Sequence, residues 1–151
     1  MSVNPELVDV VFPPVDAYLV GREKVREFAL ATFSDDPQHH DVEVARSRGF
    51  ADVVAPPTFP IVIQEKTLQQ LLEHPASGID FSRVVHGDQQ FRYSRPIVAG
   101  DELIATLSVT KVQSLGGHSM VTSESVMETP EGEHVVTAVS TLVVRGGEDA
   151  G

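Results

Sequence analysis

The pattern of apolar and polar positions divides the chain into a helical first half and a strand-rich second half. Apolar residues recur at helical spacing in REKVREFALATF, with charged residues between them, and predict an amphipathic helix over 22–32. The Ser-Asp-Asp-Pro segment at 34–37 ends this helix, because proline interrupts helical hydrogen bonding. The segment DVEVARSRG predicts a short second helix that stops at Gly49.

The most informative stretch predicts a long helix over 58–73. Its first part, 59–63, is apolar on every side, and its second part is amphipathic and rich in good helix formers. A helix that is apolar all round at one end is buried there. A Pro-Pro pair at 56–57 precedes this helix, and the His-Pro pair at 74–75 ends it.

Four long β-rich runs follow, separated by turns that contain glycine: VVHGDQQFRYSRP, DELIATLSVTKVQ, GHSMVTSESVMET and EHVVTAVSTLVVRG. Four consecutive strands predict an antiparallel sheet, and the buried helix must pack on the apolar face of that sheet. The predicted fold class is α+β, with a long buried central helix wrapped by a meander-like antiparallel β-sheet. We expect a single domain over 1–151 with a mobile tail over 146–151.

Composition narrows the classes of partner. The 151 residues include 11 Lys and Arg against 22 Asp and Glu, a formal net charge of −11, which disfavours nucleic-acid binding. The chain has no cysteine, which excludes a disulfide scaffold, a thiolate nucleophile and a Cys-ligated zinc. It has neither an apolar segment of about 18 residues nor the basic start of a secretory signal. We therefore expect a soluble, cytoplasmic protein that does not bind membranes.

Three segments resemble a known family. YLVGREKVREFALATFSDDP, GFADVVAPPTF and VVHGDQQFRYSRPIVAGDEL are similar to the N-terminal-type domain of the MaoC-like hotdog-fold dehydratases. This group includes the A- and C-type subunits of actinobacterial (3R)-hydroxyacyl-ACP dehydratases and uncharacterised relatives. The resemblance implies a hotdog fold, in which two subunits join their sheets around a tunnel for an acyl thioester. Because a lone sheet edge invites pairing, physical reasoning also favours a dimer.

The resemblance implies a catalytic Asp and His in the motif Asp-x-Asn-Pro-x-His. When the motif is anchored on Pro37, His39 takes the histidine position and Ser34 takes the aspartate position. A one-residue gap within 35–40 would instead restore the aspartate-to-histidine spacing. A solvated loop without catalytic function is the other interpretation. The catalytic candidates under the two alignments are Asp35, Asp36, His39 and His40.

The oxyanion donors of the family are backbone N–H groups at the start of the buried helix. Pro56, Pro57 and Pro60 have no N–H group, which leaves Thr58 and Phe59 as the candidate donors. A plain proline-rich helix entry is the alternative interpretation.

The substrate-binding candidates are of two kinds. The resemblance places His86 near the tunnel, and Ile61 and Val62 are candidates for its lining, although all three could instead be structural. In an acidic chain, basic residues at the entrance would attract CoA phosphates or an acidic acyl-carrier protein. The basic candidates are Arg46, Arg48, Arg92 and Arg95. The six histidines lack metal-ligand spacing, so we predict no metal, and no cofactor is expected.

Three functions are compatible with these residues and with the resemblance. The leading one is an acyl-thioester-binding subunit of a (3R)-hydroxyacyl-ACP or CoA dehydratase of fatty-acid metabolism, as the non-catalytic half of a heterodimer. The first alternative is a self-sufficient homodimeric enoyl-thioester hydratase that uses His39 or His40. The second is a non-enzymatic module that binds acyl thioesters and has a regulatory role.

Overall fold

The computed structural model describes residues 3–146, and this part of the chain contains three α-helices and five β-strands. Three short 3₁₀ turns, at 5–7, 37–39 and 81–83, join some of them. The helices are α1 (Arg22–Ala31), α2 (Val42–Ser47) and α3 (Ile61–Glu73). The strands are β1 (Tyr18–Leu19), β2 (Val84–Tyr93), β3 (Glu102–Leu115), β4 (His118–Glu128) and β5 (His134–Val144).

The five strands form one antiparallel sheet in the order β1-β3-β4-β5-β2. The predicted meander order is wrong for β2, which precedes β3 along the chain but pairs with β5, so the chain crosses the sheet between them. Consequently β2 is an edge strand, and its second side has no strand partner within 3–146.

The helix α3 packs on one face of the sheet. The face is apolar because β3 alternates, and its inward residues Leu103, Ala105, Leu107 and Val109 are fully buried. From the helix, Ile63 and Leu71 are also fully buried. The predicted arrangement, a buried helix against an antiparallel sheet, is confirmed.

The structure corrects one helix boundary and adds one strand. The long helix begins at Ile61 rather than at residue 58, because the segment before it folds into tight turns, in which Ile61 N–H donates to the Thr58 carbonyl (3.1 Å). The two-residue β1 was not predicted, since two residues show no periodicity. Apart from Gly146, the predicted mobile tail lies outside the described residues.

Candidate active site

The segment between α1 and α2 turns His39 into the protein. Asp36 begins the 3₁₀ turn 37–39, and its carboxylate accepts a hydrogen bond from the Gln38 N–H (3.1 Å). Asp41 caps α2 in the same way, accepting from the N–H groups of Glu43 and Val44. Because both ends of the turn are fixed, His39 is held with only 7% of its surface exposed.

The hydrogen bond of His39 defines its tautomer. Its Nδ1 lies 2.6 Å from the Val54 carbonyl oxygen, and a carbonyl can only accept, so Nδ1 carries the proton. The lone pair of a neutral His39 is therefore on Nε2, which makes no hydrogen bond within the described residues. An imidazole in this state can accept a proton.

His39 lines a cleft of about 380 Å³. The opposite wall comes from the end of β2 and the segment after it, with Tyr93, Ser94 and Arg95. The Tyr93 hydroxyl donates to the Pro57 carbonyl (2.7 Å), and burial raises the pKa of Tyr93, so this side chain stays protonated. The cleft therefore offers one basic nitrogen and several polar groups beside apolar walls.

The other three catalytic candidates, Asp35, Asp36 and His40, lie outside the cleft. The Gln38 N–H and the Arg48 guanidinium lower the pKa of the exposed Asp36, which is thus an ionised cap. Asp35 is exposed. His40 directs Nε2 to the Ser34 carbonyl (2.9 Å), so this nitrogen is occupied. Of the four candidates, His39 lines the cleft and the rest do not.

The candidate oxyanion donors differ from expectation at Phe59. Its N–H donates to the Pro56 carbonyl (2.9 Å), and its side chain is fully buried in the core, so it cannot serve a ligand. Thr58 is exposed, and its N–H makes no hydrogen bond within 3–146. The tight turn before α3 therefore leaves one of the two predicted donors.

A groove follows the uncovered face of α3. It consists of two adjoining hollows of about 480 and 620 Å³, which share Glu65, Leu68 and His86. Ile61 and Val62 line the first hollow, as do Lys24 and Phe28 of α1. The predicted lining residues Ile61, Val62 and His86 thus meet in one groove, distinct from the His39 cleft.

The four candidate arginines do not form one patch. Arg46 donates to the Ala51 carbonyl, and Arg48 pairs with Asp36. Arg95 lines the His39 cleft but pairs with Asp101 (2.9 Å) and Glu133 (3.2 Å). Each of these three guanidinium groups therefore already contacts a carboxylate or a backbone carbonyl oxygen.

The structure corrects the prediction that Arg92 contributes to a binding site. It contacts Glu124 at 3.4 Å, and the next residue of β4, Ser125, faces α3. Because successive residues of a strand point to opposite faces, Glu124 and Arg92 lie on the sheet face away from α3. Arg92 therefore lies on the opposite sheet face from α3 and lines neither the groove nor the cleft.

Three polar residues near these sites were not predicted from the sequence. Gln64 is 1% exposed on α3, and it forms a reciprocal amide pair with Gln89 of β2 (2.9 and 2.7 Å). Tyr93 closes the cleft. A glutamine on the apolar face of a predicted helix was the available signal for Gln64.

Within residues 3–146, no group of three His, Asp or Glu residues could hold a metal ion. Over the same range, no helix combines the length and the apolar character that crossing a bilayer requires.

The sequence matches a family model and full-length relatives. The model described as "FAS1-like, dehydratase domain region" matches residues 7–138. The UPF0336 protein of Leifsonia xyli subsp. xyli is 64% identical over 148 residues, covering 98% of this chain and 99% of that protein. The UPF0336 protein of Streptomyces avermitilis is 45% identical over 149 residues, covering 99% of each chain.

Solved structures share the fold. A chain of the C-terminally truncated HadBC (3R-hydroxyacyl-ACP dehydratase) complex from Mycobacterium tuberculosis superposes with a TM-score of 0.82 and 31% identity, covering 91% of this chain and 96% of that chain. A MaoC-like dehydratase gives a TM-score of 0.87 and 32% identity over 94% of this chain, which spans 43% of that longer protein. The predicted hotdog fold is thereby confirmed.

Proposed function

This chain belongs to the family of FAS1-like, MaoC-like dehydratase domains, and from that premise we propose that it is an acyl-thioester-binding subunit of a (3R)-hydroxyacyl-ACP or CoA dehydratase. In this proposal it is the half of a heterodimer that does not supply the catalytic pair. The similarity to a chain of HadBC, a 3R-hydroxyacyl-ACP dehydratase complex, supports both the substrate class and an assembly with a second subunit.

The observation that carries the proposal is the environment of His39. Dehydration of a 3-hydroxyacyl thioester requires a base for the C2 proton and an acid for the leaving hydroxyl. Ser34 stands where the family motif has its carboxylate, and its hydroxyl contacts Thr32 (3.0 Å). Neither neighbouring aspartate lines the cleft. His39 alone cannot act as base and acid at separate atoms in one step.

The start of α3 supports the same conclusion. An enolate-like oxygen is stabilised by N–H groups aimed at it. Pro56 and Pro57 have no N–H, and Phe59 donates its own to Pro56. Only Thr58 offers a free donor at this turn within the described residues. One donor is less than the paired donors of an oxyanion hole.

One observation favours a second candidate, the self-sufficient homodimeric hydratase. In the neutral ring, Nε2 of His39 carries the lone pair and makes no hydrogen bond within 3–146, as a catalytic base would require. His40 is the weaker choice for this role, because its Nε2 contacts Ser34 and it does not line the cleft.

Hydration of crotonyl-CoA by the purified chain separates these functions. We expect no turnover above background, and the same result for His39→Ala. Addition of a hotdog subunit that carries an intact Asp-x-Asn-Pro-x-His motif should produce turnover. A rate of ~1–10³ per second from the chain alone, lost in His39→Ala, would establish the homodimeric hydratase instead. Ligand binding without turnover, even with such a subunit, would indicate the regulatory module.

A further inference from the structure

A β-bulge in β2 brings two side chains to the same face. His86 pairs with Leu142 and Gln89 pairs with Ser140, with a register shift between His86 and Asp88. In a regular strand, residues three apart point to opposite faces. The extra residue at the bulge removes this difference, so His86 and Gln89 both face α3. Bulges that re-aim side chains in this way are common beside functional sites.

Gly87 lies at this bulge in close contact with β5. A Cβ atom at this position would lie 3.0 Å from Cγ2 of Val143 and 3.4 Å from the Thr141 carbonyl oxygen. A larger residue would therefore require the Val143 side chain, or β2 itself, to shift by a few tenths of an ångström. The local sequence is thus suited to the orientation of His86.

The side chains form a connected polar network. Gln89 Oε1 accepts hydrogen bonds from Gln64 Nε2 (2.9 Å) and from His86 Nε2 (2.8 Å). Ser140 Oγ also lies 3.2 Å from His86 Nε2. The Gln89 amide nitrogen faces two carbonyl oxygens, those of the Gln64 side chain and the Gln90 backbone, which fixes the orientation of the amide. The network is anchored on α3 by Gln64, which is almost fully buried.

This network determines the proton position on His86. An amide oxygen only accepts, so Nε2 of His86 carries the proton and Nδ1 of the neutral ring keeps a lone pair. Nδ1 makes no hydrogen bond within the described residues. The exposed His86 ring lines both hollows of the α3 groove, and so do Leu68 and Glu65. Nδ1 of His86 is therefore an unused neutral acceptor where the two hollows meet, beside the Leu68 side chain and the Glu65 carboxylate.

We propose that His86 is a specificity-determining residue that accepts, at Nδ1, a hydrogen bond from a hydroxyl group on the acyl chain of the bound thioester. The ligand class is a hydroxyacyl thioester, whose apolar chain occupies the α3 groove on either side of His86. This inference rests on the proposed function, because it assigns to the groove the acyl chain of the same ligand. His86 is a positioning residue for that ligand and is not assigned a step in the chemistry.

The hydroxyl group is selected because the groove beside His86 also has apolar lining, Leu68 among it, which offers Nδ1 no hydrogen-bond donor. A ligand whose chain is saturated would bury the Nδ1 acceptor against CH₂ groups and leave it without a donor. A hydroxyacyl ligand also displaces water from Nδ1, but its own hydroxyl group donates a hydrogen bond to Nδ1 instead. Sites built to bond a hydroxyl discriminate more strongly against its loss than apolar sites discriminate against its presence.

Calorimetric titration with (3R)-3-hydroxyhexanoyl-CoA and hexanoyl-CoA tests the proposal. The full chain should bind the hydroxylated probe roughly 3–10-fold more tightly, the range expected for one net hydrogen bond. His86→Leu should bind the two probes equally, with the affinity for hexanoyl-CoA kept as proof of folding. His86→Asn, which can present an oxygen near the position of Nδ1, should keep the preference. His118→Leu, the same change at an exposed histidine of β4, is the matched control.

Three results would overturn the proposal, in two distinguishable ways. Equal binding of both probes by the unmodified chain, or an unchanged preference in His86→Leu, removes the role of His86 and leaves the proposed function intact. Failure of both probes to bind the unmodified chain contradicts thioester binding itself, and with it this inference.

Discussion

Asp52 joins the start of α1 to the segment that leads into α3. Its carboxylate accepts two parallel hydrogen bonds from the Arg22 guanidinium (3.0 and 2.8 Å), and a third from the Val53 N–H (2.8 Å). These contacts, above all the one with Arg22, lower the pKa of Asp52. A carboxylate with this environment stabilises the folded state only while it is ionised.

Asp52→Asn should therefore destabilise the protein by about 1 kcal/mol at pH 7, since the pair is partly exposed. The folded pKa lies below the unfolded value, about 3.9 for Asp. The contribution is thus present above that value and is lost as pH falls through the folded pKa. Urea denaturation of both proteins from pH 7 to pH 3 measures it. Asp35→Asn, in an exposed loop, is the control. The assignment is contradicted if the loss of stability in Asp52→Asn is undiminished at pH 3, or if Asp35→Asn loses as much stability.

Residue-level chemistry could be predicted from the sequence only in part. Anchoring the motif on Pro37 identified His39, and the structure places this histidine in the cleft. The roles of Asp36 and Phe59 depend on local hydrogen bonds, a cap and a turn, that a sequence does not specify uniquely. The orientation of Arg92 depends on strand register, which one residue of shift reverses.

At the scale of elements, α3 and the sheet are joined by a buried polar contact as well as by apolar packing. Thr67 Oγ1 donates to the Gln64 carbonyl (2.6 Å), and it lies 2.7 Å from Ser125 Oγ on β4. Since the Thr67 proton is used within the helix, Ser125 must be the donor in the second contact. Both side chains are at most 1% exposed.

The two halves of this contact should respond unequally. Thr67→Val leaves the buried Ser125 hydroxyl without an acceptor and should lower the free energy of unfolding by about 1–3 kcal/mol. Ser125→Ala leaves Thr67 bonded to Gln64, so its cost should be smaller, about 1 kcal/mol or less. In a Ser125→Ala background, Thr67→Val should cost less than it does alone. Urea denaturation of the four proteins gives these values, and strict additivity would mean that the hydroxyls do not interact.

The elements themselves were largely predictable where periodicity extends over several turns or strands. α1 and the inward residues of β3 follow directly from the spacing of apolar residues. β2 was harder, because the bulge at Gly87 breaks alternation and puts His86 and Gln89 on one face. Pairing of β2 with β5 rather than β3 is long-range, and neither strand carries a local signal for it.

At the scale of the whole molecule, the exposed edge of β2 is the main structural argument for a dimer. This edge is ten residues long and is not paired within 3–146, and an open edge of this kind readily pairs with another strand. We therefore expect the isolated chain to self-associate, with a light-scattering mass of about twice 16.3 kDa. A monomer that persists over a wide range of concentration would contradict this, and would favour association only with a different subunit.

Electrostatics of the whole molecule also affect ligand binding, because the net charge of −11 repels an anionic ligand at long range. Arg46 and Arg48 lie at the end of α2, next to the segment that carries His39, and both are exposed. Although Arg48 contacts Asp36, it also keeps a bond to Gln38, which lines the cleft. Arg95 lines the cleft itself but is paired with two carboxylates, those of Asp101 and Glu133, so Arg46 and Arg48 are the candidates whose charge can offset the repulsion near His39.

Charge reversal of both residues, Arg46→Glu with Arg48→Glu, should weaken acyl-CoA binding and reduce its dependence on salt, because fewer phosphate contacts are screened. Thermal stability should change little, since exposed ion pairs contribute only about 0–1 kcal/mol. The measurement is titration of hexanoyl-CoA into both proteins at two salt concentrations. Lys111→Glu with Arg92→Glu, on the sheet, makes the same change of charge and serves as the control. If both double variants lose affinity equally, only the net charge matters, and the entrance for the ligand lies elsewhere than beside α2.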